Sequence, residues 1–300
     1  MSVYFPAYYA DFRCIADKCS HSCCVGWEIG VDGETLNRYK GLDSVLGEEI
    51  RSHICASDST IRLLPNGRCP FLDGSGLCRI ISQMGDGAVS LICREHPRFY
   101  HKVNGRIEGG IGAVCEEACR IILSSDSFVD FVEIPRIAEA AVETDFDSIP
   151  HRDYIYSVLK NADLSYTEKL DFIKKRYNIP EFFARKEEWR EVFSSLEYLD
   201  EGRRGAFDIC DSIALPERED CFIRFFAYLV FRHVSVARDY DNLRARVGYC
   251  LLLLSLLHNM SKDGKCSFDA LIEHARVVSE EIEYSEDNTD SLIFELECLV

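Results

Sequence analysis

The residues in this sequence best suited to chemistry are its cysteines. Fifteen cysteines occur in 300 residues, and ten of them precede residue 120. The densest group, Cys14-x4-Cys19-x3-Cys23-Cys24, places four thiols within eleven residues that also include turn formers. Thiolates at this density can converge on one soft metal ion or on an iron–sulfur cluster. The sequence therefore predicts an N-terminal region organised around a cysteine-bound metal centre.

The spacing of these cysteines differs from that of common metal motifs. No CxxC pair is present, which argues against a zinc ribbon, and the CxxxCxxC spacing is also absent. Later cysteines fall at expected turns or element ends, where backbone N–H groups can bond to sulfur. More thiolates are available than one zinc ion binds, which favours iron–sulfur over zinc. The predicted ligands are Cys14, Cys19, Cys23, Cys24, Cys69, Cys78, Cys93 and Cys115.

Several assignments within this set stay open. The adjacent Cys23 and Cys24 cannot easily both bind one small ion, so one binds while the other packs, or both serve a larger cluster. Cys119 lies one helical turn after Cys115 and either shares the site or belongs to the core. His21 is either a ligand or a solvated loop residue. The five cysteines after residue 120 are expected to be small buried residues.

Composition and charge narrow the class of protein. The net charge of −17 argues against a nucleic-acid partner and is compatible with binding of a cationic group. The N-terminus lacks a secretory signal, and the longest apolar run, Cys250–Leu257, is too short to span a bilayer. These features predict a cytoplasmic protein without a membrane partner. In that reducing compartment, cysteines bind metals more often than they form disulfides.

The apolar pattern predicts an α+β fold that is mostly α-helical. We expect a cysteine-rich region of loops and hairpins at 1–125, packed on a helical bundle at 126–300, either as two domains or as one compact body with the site at the junction. Hairpins are predicted at 61–72 and, around Asn104-Gly105, at 99–111. Helices are predicted at 34–54, 77–84, 115–123, 152–161, 167–177, 181–199, 219–237, 241–259, 268–284 and 290–300.

The combination of motifs resembles the flagellin lysine-N-methylase (FliB) family, within a wider group of cysteine-cluster proteins described as zinc- or iron-chelating. The likeness extends over nearly the full length, with Cys119 and His96 as departures. It implies methyl transfer from S-adenosylmethionine to lysine side chains of flagellin, with a 4Fe-4S cluster. The residues that carry it are Cys14, Cys19, Cys23-Cys24-x-Gly26-Trp27, Cys69-Pro70-Phe71-Leu72, Gly76-Leu77-Cys78-x-Ile80, Cys93, Pro97-Arg98, Cys115-x-Glu117-Ala118 and the segment Ser279–Asn288.

Lysine methylation needs a neutral amine, so the site must desolvate the lysine or provide a base. Glu281 and Glu283, in the segment just named, are candidates for that base. On a helix they face different ways, so at most one points into a shared site. The alternative interpretation is a solvated acidic surface, as charge runs usually are.

Groups that would hold the methyl donor are less well defined. Trp27 and Tyr100 are candidates for the sulfonium cation. Arg94 and Arg98 flank Cys93 and would either bind the donor's carboxylate or form ordinary ion pairs. The run 109–112 is rich in glycine but lacks a nucleotide-binding pattern, and a bend in a hairpin strand explains it better. Arg224 and Arg232, on a buried helix, each require a partner.

Three hypotheses follow from the sequence. The first is an iron–sulfur protein-lysine methyltransferase acting on flagellin or another lysine-bearing protein. The second is a non-enzymatic module that is held together by zinc or an iron–sulfur cluster and that binds a protein partner. The third is a redox sensor whose cysteines cycle between thiol and disulfide.

Overall fold

The structure is a computed structural model that describes residues 2–136, 140–209, 218–262 and 267–299. It confirms the predicted α+β fold with mostly helical content. The strands are β1 (Ser2–Pro6), β2 (Ile29–Gly30), β3 (Thr60–Ile61), β4 (Arg98–Val103), β5 (Arg106–Ile111), β6 (Phe131–Pro135) and β7 (Val142–Thr144). The α-helices are α1 (Gly33–Lys40), α2 (Val45–His53), α3 (Arg79–Met84), α4 (Leu91–Glu95), α5 (Glu116–Ser124), α6 (Ile149–Lys160), α7 (Tyr166–Tyr177), α8 (Lys186–Ser195), α9 (Glu219–His233), α10 (Tyr240–Met260), α11 (Phe268–Val278) and α12 (Glu286–Glu297).

The chain divides into two compact units. The smaller unit is Arg13–Arg98, and the larger unit is Met1–Phe12 together with Phe99–Val300. The predicted division at residue 125 falls inside the larger unit, directly after α5. The division of the chain into a metal-binding region and a helical region stays a prediction.

A five-stranded mixed sheet of order β6-β1-β5-β4-β7 forms one layer of the larger unit. β1 pairs antiparallel with β6 and parallel with β5, and β4 pairs parallel with β7. The predicted hairpin at 99–111 is confirmed as β4 and β5. Asn104 and Gly105 have positive φ angles of 46° and 76°, which a type I′ turn requires. β1, β6 and β7 were not predicted.

Helices α9 and α10 form the centre of the larger unit's core. Both are buried on nearly all sides, as predicted for the apolar stretch 221–231. The predicted helices at 181–199, 219–237 and 268–284 are shorter than expected. Short 3₁₀ turns flank two of them (Phe182–Arg185 and Val234–Val236), and a π-helical turn, Ser279–Glu283, follows α11.

The smaller unit has its own small apolar core, which includes Tyr39, Ile50, Phe71 and Ile80. The predicted helix at 34–54 is divided into α1 and α2, because Ser44 caps α2 by accepting the N–H of Gly47 at 3.0 Å. The predicted hairpin at 61–72 is present only at its turn, where the N–H of Leu64 donates to the carbonyl of Arg68 at 2.9 Å, whereas β3 pairs with β2.

None of the helices in the described ranges combines the length and the apolar composition that crossing a bilayer requires.

Candidate functional site: a thiol cluster and buried carboxylates

Four of the predicted ligands, Cys24, Cys69, Cys78 and Cys93, lie close enough within the smaller unit to affect one another's ionisation. Burial, together with negative charge on the other three thiols, raises the pKa of Cys69 to about 12. Cys24 and Cys78 act in the same direction on Cys93. We call these four residues the thiol cluster. No two cysteines in the described ranges form a disulfide.

Backbone pairing between distant segments brings Cys24 and Cys69 together. The N–H of Cys69 donates to the carbonyl of Cys24 at 2.8 Å, and the N–H of Gly26 donates to the carbonyl of Gly67 at 2.9 Å. Gly26 and Gly67 have φ angles of +81° and +75°, which side chains with a Cβ rarely adopt. The pairing therefore depends on glycine at both turns.

Cys78 and Cys93 belong to two short helical segments. Cys78 is the N-cap residue of α3, and the N–H of Arg79 donates to the carbonyl of Phe71 at 2.8 Å. Cys93 is the middle residue of α4, and the Ser90 hydroxyl donates to its sulfur at 3.3 Å. Cys78 therefore lies at an element end, as expected, whereas Cys93 lies within a helix.

The chemistry of the thiol cluster fits a soft metal. A hydrogen bond from Cys23 lowers the pKa of Cys24 to about 7 despite burial, and Ser22 and Arg68 contribute to the lowering. Desolvation of the sulfur raises the pKa of Cys93, although the residue as a whole is exposed. Among the described residues, no three His, Cys, Asp or Glu side chains stand at ligand spacing around a common point. The four sulfurs are donors of the type that soft metals prefer, but they do not surround one point at metal–ligand distance.

The other predicted ligands have different surroundings. Cys14 and Cys23 are exposed, and the sulfur of Cys19 donates to the carbonyl of His21 at 2.7 Å. Cys115 belongs to the larger unit, where it is the N-cap residue of α5 and its charge acts on Cys119. The eight-cysteine ligand set stays a prediction.

The candidates for binding the methyl donor are divided between the two units. Trp27 is half-buried in the bend before β2. Arg94 lies 4.0 Å from Glu95, and Arg98 donates to the carbonyl of Arg94 at 3.4 Å. Tyr100, in the larger unit, packs edge-on against Phe5. These contacts are those of ordinary structural residues, and the donor-binding role stays a prediction.

Glu283 is the centre of a buried polar network in the larger unit, and its side chain is inaccessible to solvent. Oε1 accepts hydrogen bonds from Tyr228 Oη at 2.7 Å and His233 Nε2 at 2.9 Å, and it lies 3.2 Å from Arg232 Nε. Ser279 donates to Oε2. Burial alone would raise the pKa of Glu283, but Arg232, His233 and Ser279 lower it from 4.5 to about 2. This carboxylate is therefore ionised, and it is a weak base at neutral pH.

Glu281 contacts a different part of the larger unit. Its Oε2 accepts the N–H groups of Leu199 at 2.8 Å and Asp200 at 3.4 Å. Its Oε1 is buried, accepts no hydrogen bond from the described residues and lies 3.8 Å from Arg203 Nη1. Burial raises the pKa of Glu281. Both glutamates are buried, so the alternative of a solvated acidic surface is wrong for these two residues.

The predicted partners of the helix arginines are present. Arg224 pairs with Asp126 and Asp220, each at 2.7 Å. Arg232 pairs with Glu283, and its guanidinium lies 4.7 Å from the ring of Phe99.

The glycine-rich run 109–112 serves close packing in the larger unit. A Cβ at Gly112 would lie 2.4 Å from the Tyr284 hydroxyl and 2.8 Å from Arg232 Nη1. A Cβ at Gly110 would lie 2.5 Å from the ring of Phe99. The run is part of β5 and its end, as the strand interpretation predicted.

A second buried network in the larger unit was not predicted. Glu108 on β5 forms a two-point ion pair with Arg152 on α6, with Nη2 at 3.0 Å from Oε1, and His101 and Arg106 also contact it. Both Glu108 and Arg152 are almost completely buried. Strand alternation gives no signal for this network, because Glu108 shares its strand face with Arg106 and Gly110 and not with the apolar Ile107 and Ile111.

Comparison with known proteins identifies relatives of one kind. A flagellar biosynthetic protein FliU from Salmonella muenchen is 29% identical over 132 residues, 40% of this chain and 75% of that protein. Proteins named lysine-N-methylase from Salmonella choleraesuis and Salmonella typhimurium are each 28% identical over 132 residues, 40% of this chain and 32% of theirs. The chain thus spans about a third of the length of those lysine-N-methylases. No family model and no solved structure matches.

The two lysine-N-methylases confirm the predicted resemblance to the flagellin lysine-N-methylase (FliB) family, over 40% of the chain rather than over nearly its full length.

Proposed function

We propose that this chain is a protein-lysine N-methyltransferase that uses S-adenosylmethionine and modifies flagellin or another lysine-bearing protein. The observation that carries the proposal is its similarity to two proteins named lysine-N-methylase. The relative named as a flagellar biosynthetic protein supports a flagellar acceptor. The proposed location is the cytoplasm.

We further propose that the thiol cluster holds a 4Fe-4S cluster, with zinc as the alternative. Cys24, Cys69, Cys78 and Cys93 supply four soft sulfur donors, the number that either group takes from a protein. A bound iron–sulfur cluster would supply electron transfer or Lewis acidity to the site. The other predicted ligands, Cys14, Cys19, Cys23 and Cys115, are left outside this smaller set.

The proposed reaction joins the lysine nitrogen to the methyl carbon as the carbon–sulfur bond of the donor breaks. The lysine must first lose a proton. Of the two candidate bases, Glu281 suits this role better than Glu283, because its pKa is raised and its Oε1 accepts no hydrogen bond from the described residues. Glu283 instead stabilises Arg232 and His233.

The distribution of charge supports a cationic acceptor. In the sequence, residues 13–98 carry 11 acidic and 10 basic residues, whereas the remainder carries 40 acidic and 24 basic residues. Nearly all of the net negative charge therefore belongs to the larger unit. A strongly negative surface raises the association rate of a lysine-rich partner.

The first experiment is anaerobic purification with iron, zinc and acid-labile sulfide quantified, followed by incubation with S-adenosylmethionine and unmodified flagellin. We expect iron with sulfide, and mass increases in methyl-sized steps on lysine. Cys78→Ser should lose the metal and the activity, whereas Cys298→Ser, at an exposed cysteine after α12, should retain both. Metal-replete protein that never adds a methyl group to lysine would refute methyl transfer.

A non-enzymatic, metal-stapled module that binds a protein partner is the second candidate. It is favoured by the small apolar core of Arg13–Arg98, which a bound metal would stabilise. In that case chelation would unfold the smaller unit, and methyl transfer would be absent from protein with its metal in place.

A further inference from the structure

Helix α1 is bonded to the chain segment that carries Cys93, residues 85–93, through the carboxylate of Asp32. Asp32 precedes α1, and its Oδ1 accepts the N–H of Thr35 at 2.9 Å, which caps α1. Its Oδ2 accepts the N–H of Leu91, the first residue of α4, at 2.8 Å. One carboxylate therefore fixes the beginnings of both helices relative to each other.

Two further side chains of α1 bond to the backbone of the same segment. The hydroxyl of Tyr39 donates to the carbonyl of Ala88 at 2.8 Å, and Arg38 Nη1 donates to the carbonyl of Gly87. Tyr39 is fully buried, and Ala88 is nearly so. Three hydrogen bonds thus connect one helix to one segment that is 49 to 59 residues away in the sequence.

The segment 85–93 ends at Cys93, one of the four residues of the thiol cluster. Ser90, between Ala88 and Leu91, is buried, and its hydroxyl donates to Cys93 Sγ at 3.3 Å. The position of Cys93 therefore depends on residues 87–91, which α1 holds at three points. Tyr39 also lies near Cys93 and Cys78, since negative charge on either thiol raises the pKa of the Tyr39 hydroxyl.

We infer that Tyr39, together with Asp32 and Arg38, is a positioning residue that places Cys93 for metal binding. The inference rests on the proposed metal role of the thiol cluster. Groups that orient ligands without touching the metal commonly change metal affinity by about 10- to 100-fold when they are removed. Tyr39→Phe removes only the hydroxyl, and we expect a loss of affinity in that range.

The chain offers a matched control. Tyr156 is also a buried tyrosine whose hydroxyl donates to the carbonyl of an alanine, Ala227, at 3.2 Å, and both residues belong to the larger unit. Tyr156→Phe therefore removes the same kind of hydrogen bond away from the segment that carries Cys93. A general loss of stability would affect both variants, whereas a loss of positioning affects only Tyr39→Phe.

The test uses full-length protein and Co²⁺ as the probe, under anaerobic conditions. Chelator competition measures affinity, and the thiolate-to-cobalt absorption reports how many sulfurs bind. We expect Tyr39→Phe to bind Co²⁺ about 10- to 100-fold more weakly with reduced thiolate absorption, and Tyr156→Phe to match the unsubstituted protein. Should Tyr39→Phe not fold, Arg38→Gln, at a half-buried residue, tests the same contact set.

The outcomes separate this inference from the proposed function. If the unsubstituted protein binds Co²⁺ and Tyr39→Phe matches it, α1 does not position Cys93, while the metal site stands. If both tyrosine variants lose affinity equally, the effect is one of stability, and the inference is wrong. If the unsubstituted protein binds neither Co²⁺ through thiolates nor iron with acid-labile sulfide, the metal role itself fails and the inference fails with it.

Discussion

Glu283→Gln replaces the ionised carboxylate of the buried network by a neutral amide of nearly the same shape. Burial disfavours the charge, but Arg232, His233 and Ser279 lower the pKa of Glu283 from 4.5 to about 2. One pKa unit corresponds to about 1.4 kcal/mol, so ionisation of Glu283 stabilises the folded state by about 3 kcal/mol. We expect the variant to be destabilised by that amount at pH 7, within the usual range for breaking a buried pair.

The sign of the pH dependence follows from the lowered pKa. A carboxylate with a lowered folded-state pKa contributes its full stability above the unfolded pKa of about 4.5 and loses it as the pH falls toward 2. The difference between the unsubstituted protein and Glu283→Gln should therefore be constant from pH 7 to about 5.5 and shrink below about 4.5.

The assay is denaturant unfolding followed by circular dichroism at pH values from 7 to 3. Glu295→Gln, at an exposed position on α12, is the control and should change the free energy of unfolding by no more than about 0.5 kcal/mol. Equal stability of Glu283→Gln and the unsubstituted protein at pH 7 would refute the reasoning. A stable variant that had lost only methyl transfer would instead make Glu283 a catalytic base.

Three other substitutions test the larger unit by thermal unfolding. Gly112→Ala places a Cβ against Tyr284 and Arg232 and should cost about 1–3 kcal/mol, whereas Gly74→Ala, with open space around it, should not. Glu108→Gln leaves buried Arg152 without its ion pair and should cost about 3–5 kcal/mol, so an unchanged melting temperature would contradict that role. Ser165→Ala removes the capping box of α7 and should cost about 1 kcal/mol, and a neutral result would show that the cap contributes little.

Local chemistry was enough to predict several elements. Asn104-Gly105 specified the β4–β5 hairpin because few residue pairs adopt two consecutive positive φ angles. The apolar composition of 221–231 indicated a central helix, and α9 is buried in the core. Helix ends were less certain: Ser165 and Asp239 cap α7 and α10, rather than the nearby Thr167 and Asp241 that also suit a cap.

Long-range pairing was not predictable from local patterns. β1 is separated by about a hundred residues from its partners β5 and β6, and no residue type in Ser2–Pro6 indicates which strands it joins. The same limit applies to the thiol cluster. In the densest cysteine group, 14–24, a backbone hydrogen bond places Cys24 beside Cys69, and Cys23 in turn bonds to Cys24. Cysteine density predicts a thiol-rich site, but pairing between distant segments determines its members.

The acidic segment after α11 shows why a charge run need not be a solvated surface. Glu281 and Glu283 lie on opposite sides of the π-helical turn Ser279–Glu283 and meet different partners: the backbone at 199–200 and the side chains of α9. Each buried carboxylate accepts hydrogen bonds: Glu283 accepts them from side chains of α9, and Glu281 accepts them from the backbone N–H groups of Leu199 and Asp200. The two carboxylates differ in how many of their oxygens accept hydrogen bonds. Glu283 is bonded at both oxygens, whereas Glu281 is bonded at one. If either removes a proton from lysine, the contacts favour Glu281, and Glu281→Gln should then lower methyl transfer without the stability loss expected of Glu283→Gln.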